Sequence, residues 1–204
     1  MSDVEASPGH GEVVAFDQIE RKAKAVGGLL RQALPADDQA RADLREVTAA
    51  LAALDVQLAE WVALHRLIHE LLAALAPFRA LLASVGGSAL GATECQALLQ
   101  GWRPCQRCID GLAAFAEEVT CIGRPLRRDG RELAGERWAV DVLAVQEMIE
   151  DALKEEDLDP GNLFELAEEL DSACHRHLAV ADRGLGAAAD RLRRLNTSLL
   201  GGLE

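Results

Sequence analysis

Between Trp61 and Leu82 the chain reads WVALHRLIHELLAALAPFRALL, a run of strong helix formers interrupted by one proline. Trp61, Leu64, Leu67, Ile68, Leu71, Leu72 and Leu75 recur there at helical spacing, and a stripe that broad covers more than one side of a helix. Such a helix has to be enclosed by other apolar surfaces, which predicts a deep position in an all-helical core. Composition points the same way. Half of the 204 residues are apolar, tyrosine is absent and aromatics make up 3%. Ala and Leu dominate, and they are the best apolar helix formers, whereas the β-branched and aromatic residues that favour strands are scarce. The expected fold is all-α, an antiparallel helical bundle.

The formal charge of −13 narrows the partners. Nucleic-acid affinity depends on neutralising phosphates with Lys and Arg, and docking on anionic lipid needs the same charge. Neither nucleic acid nor a membrane is therefore an expected partner. No apolar run reaches bilayer-spanning length without charge or polarity, and the opening MSDVEASPGHGEV has no signal-peptide core, so a cytoplasmic location is expected. Five cysteines suit reduced thiols better than a secreted disulfide framework.

Residues 1–14 lack periodicity and read as a flexible tail, leaving one helical domain from 15 to 204. A first helix is expected from about Phe16 to Ala33, with Phe16, Ile19, Val26, Leu29 and Leu30 inward and Pro35 as its stop. From Asp37 to Ser84 nothing forces a break before Pro77. A straight helix of that length would span about 70 Å, against a radius of gyration of about 17 Å for a compact chain of this size. Either this central helix kinks or the molecule is elongated. Thr93 and Glu94 open the next helix, and Pro104 is expected to kink or split it with Trp102 at the joint. Residues 122–137, IGRPLRRDGRELAGER, lose periodicity and read as the longest internal loop. A helix follows over about Arg137–Leu153, Asp159-Pro160 starts another, and residues 162–180 and 185–200 are read as its last two helical stretches.

Few patterns carry chemistry. WRPCQRC contains the CxxC pair Cys105 and Cys108, whose spacing suits disulfide exchange or zinc. Cys121 and CHRH at 174–177 are the other conceivable ligands, but a structural zinc needs four and no second tight pair is evident. A zinc or thiol sensor is the alternative reading. His65 and His69 share the spacing of two ligands on one helix face, yet Arg66 stands where a metalloprotease motif has glutamate. His175 and His177 fall on different faces. No nucleophile elbow, phosphate loop or calcium loop occurs, so neither catalytic residues nor a cofactor or metal is expected. Arg124, Arg127, Arg128 and Arg131 concentrate positive charge in the 122–137 loop of an acidic chain. They are candidates for partner docking or for cleavage by an Arg-specific protease. Internal charge compensation is the plainer explanation, since Glu147–Asp171 holds eleven acidic residues and one lysine.

Trp61, Leu64-His65, Ile68-His69-Glu70-Leu71-Leu72 and Pro77-Phe78 together resemble bacterial effector-associated helical modules. WRPCQRCIDGLAAFAE, CHRHLAVAD and LRRLNTSLLGGL are compatible with the same resemblance, which covers about residues 40–203. Those modules accompany caspase-like proteases, TIR domains and signalling NTPases in conflict systems, the caspase-and-TPR-associated group among them. The resemblance implies a non-enzymatic regulator or adaptor in antiviral defence or signalling. Without an attached effector domain it also implies a free-standing inhibitor of a sigma factor or effector, released by a protease.

The arginine-rich loop gives the first test. Limited trypsin digestion should cut first at 122–137 or in the N-terminal tail, leaving helical fragments that stay associated. Mass spectrometry of the earliest fragments decides it. Cuts confined to Arg41–Arg79, with 122–137 resistant, would mean that the loop is packed.

Overall fold

The structure is a computed structural model that describes residues 10–32, 38–85, 91–122, 134–155 and 158–201. Its elements are α1 (His10–Gln32), α2 (Asp38–Val85), α3 (Ala92–Ile122), α4 (Ala134–Ala152) and α5 (Pro160–Gly201). Among the described residues there is no strand, as the shortage of β-formers requires. The contacts group into two compact units. Unit 1 is Met1–Ala59 with Leu185–Glu204, and unit 2 is Glu60–Gly184.

Unit 2 is built from the second half of α2, α3, α4 and the first part of α5. Of the predicted stripe, Leu64, Ile68, Leu71 and Leu75 are buried at the unit's centre together with Phe78 and Leu82, while Trp61, Leu67 and Leu72 are partly buried against them. They pack with Leu98, Trp102, Cys105, Ile109 and Leu112 of α3, Val142, Val145 and Ile149 of α4, and Leu163, Ala167, Leu170, Cys174 and Ala181 of α5. Buried positions on α3 step by four and three residues, from 98 to 102, 105, 109 and 112. That is the 3.5-residue period of helices packing side by side, knobs into holes. Pairs at the periphery fix which helices meet. Arg79 bonds Glu168 and Asp171, the latter at 2.9 Å, joining α2 to α5. Gln106 of α3 donates to Glu150 of α4 at 2.8 Å.

Unit 1 is a three-helix arrangement of α1, the first half of α2 and the last part of α5. Ala23, Val47, Leu54 and Leu195 form its centre, with Phe16, Ile19, Leu51 and Leu199 packed against them. Ion pairs tie α1 down. Lys22 reaches Glu46 at 2.6 Å and Asp43 at 3.6 Å. Arg194 reaches Glu20 at 2.5 Å and Asp17 at 3.0 Å, and its guanidinium lies 5.1 Å from the Phe16 ring centroid.

Three expectations need correction. α1 starts at His10, so the helix extends into the predicted tail; residues 1–9 lie outside the described residues. α3 runs unbroken through Pro104, and Trp102 is no joint but a core residue, 2% exposed and tilted against Phe78 at 5.2 Å. A proline inside a helix costs about 3 kcal/mol, and burying Trp102, Cys105 and Ile109 around it offsets that. The second half of the chain's end is not a separate stretch: α5 continues through 181–184. Gly184 packs instead of terminating, since a Cβ there would meet Trp61 Cε2 at 2.4 Å. Separately, α2 contains an 18-residue stretch of mean hydropathy 1.5, 17% of it buried, long and apolar enough by composition alone to cross a membrane. The helix start expected at Asp159-Pro160 is observed, with Asp159 Oδ1 accepting from the Gly161 amide at 2.8 Å.

Two glycines of α5 should answer to alanine with opposite signs. Replacing a mid-helix glycine ordinarily stabilises by about 0.5–1 kcal/mol, and Gly186→Ala should, because nothing lies within 4 Å of its Cβ position. Gly184→Ala should instead destabilise by about 1–3 kcal/mol, as overpacking against a rigid indole does. Urea unfolding measures both, and a stabilised Gly184→Ala would show that Trp61 does not hold that position.

Candidate functional site

The CxxC pair lies on α3, where helical spacing turns its members to different surroundings. Cys105 is completely buried, and Cys108 is half-buried. Burial pushes the Cys105 thiol up to about 12, and the neighbouring Cys108 adds to the shift. Cys174, on α5, is also raised to about 12, chiefly by burial and secondarily by Asp171. Cys108 is raised as well, by burial and the Glu70 carboxylate. These are protonated, weakly nucleophilic packing groups, the reverse of the electropositive setting that activates a cysteine. Among the described residues, no three His, Cys, Asp or Glu side chains come together as a metal site.

The histidines are distributed as the sequence suggested. His65 and His69 stack on one face of α2 with ring centroids 4.6 Å apart. His65 Nε2 approaches Asp182 Oδ1 at 3.1 Å, so a carboxylate engages it. His175 and His177 diverge: His175 is exposed beside Asp171, whereas His177 is nearly enclosed, 3.2 Å from Asp141. Burial lowers the His177 pKa and outweighs the attraction of Asp141. Neither pair forms an acid–base couple facing a cavity. Arg124, Arg127, Arg128 and Arg131 lie outside the described residues.

The feature that sequence reasoning missed is in unit 1. α1 covers one side of the α2–α5 pair through Lys22 and Arg194. An open groove of about 430 Å³ remains between α2 and α5, lined by Leu51 and Leu58, Ala189, Leu192, Asn196 and Leu199, with Arg193 at its rim. Leu44, Val56 and Leu200 add exposed apolar surface in the same unit, at 45%, 40% and 54% exposure. The lining is aliphatic, with one amide and one guanidinium, and brings together no nucleophile or acid–base pair. It can bury apolar side chains; it has nothing with which to perform a reaction. Leucines at 44, 51 and 58 and at 185, 192 and 199 were the available signal. Seven-residue spacing on two helices reads as core until the third helix is seen to cover only one side.

Comparison with known protein families, characterised proteins and solved structures finds no match to this chain.

The thiol assignment can be tested by alkylation. Iodoacetamide at about pH 8 should modify half-buried Cys95 long before Cys105 and Cys174, which should react only on unfolding. The folded chain keeps both thiols protonated to about 12, whereas the ordinary value is 9.0. Their stabilising contribution is therefore complete below about pH 9 and is lost as pH rises toward 12. Rapid native labelling of Cys105 would revive a thiol-based function.

Proposed function

We propose that this protein is a non-enzymatic helical regulator or adaptor that acts by protein–protein contact, in the cytoplasm, within a bacterial defence or signalling pathway. The observation that carries the contact reading is the open aliphatic groove of unit 1, continued by exposed Leu44 and Leu200 on the same two helices. Apolar surface of this kind on a folded helical unit marks a place where another protein docks. The pathway rests on the resemblance of Trp61–Phe78 to effector-associated modules. Sequestering a sigma factor or effector until a protease cuts after Arg124, Arg127, Arg128 or Arg131 is the regulatory form it suggests. A cut there would sever the chain between α3 and α4, which pack on each other and would hold the fragments together.

A photo-crosslinking amino acid in place of Leu192, in the cells that make the protein, tests the contact. It should give a discrete adduct with another polypeptide, while the same group at exposed Glu165 of unit 2 gives none. The reading fails if Leu192 gives no adduct, or if both positions give the same diffuse products.

A further inference from the structure

We propose that the groove of unit 1 seats the same groove of a second copy, two α2–α5 pairs closing face to face into a four-helix bundle. This rests on the groove being a protein-contact surface and names what fills it.

The periodicity identifies the occupant as a helix pair. On α5, Leu185, Ala189, Leu192, Asn196 and Leu199 alternate steps of four and three, and on α2 Leu44, Leu51 and Leu58 step by seven. This seam is additional to the buried one of Val47, Leu54, Ala188 and Leu195. A second seam of 3.5-residue period fits helices lying alongside it, and a polar Asn within an aliphatic seam is a device for fixing register and partner number.

Charge identifies the pair as a second copy. The groove walls place Leu51 and Leu58 on α2 and Ala189 to Leu199 on α5. Asp55, four residues after Leu51 and three before Leu58, is exposed on their side of α2, and Arg193 is exposed at the groove on α5. A twofold axis along the groove, parallel to the helices, brings the Asp55 side of each copy to the Arg193 side of the other, giving two opposite-charge contacts. Both residues are exposed and available, Arg193 meanwhile pairing with Asp190 of its own helix. The same axis makes every neighbour in the four-helix bundle antiparallel.

Sedimentation equilibrium of the full chain tests this. The chain should sediment at twice its own mass at micromolar concentration. Asp55→Arg should weaken the dimer at least about tenfold by setting like charges opposite each other. Asp55→Arg combined with Arg193→Asp should restore it to within about threefold. Leu192→Gln should weaken it independently, and circular dichroism shows that each variant keeps its helices. A monomer up to about 0.1 mM, or a dimer indifferent to Asp55→Arg, or a double variant weaker than the single, overturns the proposal. A monomer whose Leu192 crosslinks only to a different polypeptide refutes the second copy and leaves the contact reading standing. A monomer with no adduct removes both.

Discussion

Small residues on α5 allow the long helices to approach, and the rest of unit 2 depends on that approach. Ala167, Cys174 and Ala181 are buried at seven-residue intervals on this helix, where most helices would carry leucine. Their short side chains admit the bulky positions of α2, and at Gly184 even a methyl group is excluded because the Trp61 indole fills its place. Close packing of this kind is intolerant of added volume. No polar or charged side chain is fully buried among the described residues. The choice of neighbours then falls to shape and to half-exposed pairs such as Arg79 with Glu168 and Asp171. Those pairs sit where solvent weakens them, so they select an arrangement more than they stabilise it.

The same spacing explains what could be read in the sequence. The α2 stripe was legible because Leu and Ile recur at helical spacing along one broad face, which needs apolar cover. The ends of α2 and the start of α5 were legible because Asp, Pro and Gly act locally, through capping and the backbone. α5 was divided in the wrong place for the opposite reason. Gly184 and Gly186 look like helix punctuation in one dimension, and only the indole of Trp61, more than a hundred residues away, makes Gly184 a packing residue. Pro104 misled in the same way: its cost is local, while the burial that overrides it comes from other helices. CxxC drew attention by its spacing, but a thiol's reactivity is set by burial, which no spacing reveals.

The groove was hidden because the sequence shows which residues are apolar and not which are covered. Leu51 and Leu192 have the pattern of core residues, and in a four-helix unit they would be core. Unit 1 has three helices, α1 taking one side of the α2–α5 pair and leaving the other. The pattern is that of a fuller bundle, and the described helices of unit 1 enclose only part of it.

That incompleteness has to be tolerated by a protein that is also strongly acidic. A charge of −13 repels copies of the chain from one another at long range, and exposed leucines attract them at contact. The two effects act over different distances, because screening ends the repulsion within about 10 Å in ordinary salt, whereas apolar burial begins only once water is expelled. General acidity therefore suppresses indiscriminate aggregation through Leu44, Val56 and Leu200 without preventing a specific association. A partner that presents basic charge beside its apolar face overcomes the repulsion locally. Arg193, at the rim of an aliphatic groove in an acidic molecule, presents basic charge of that kind.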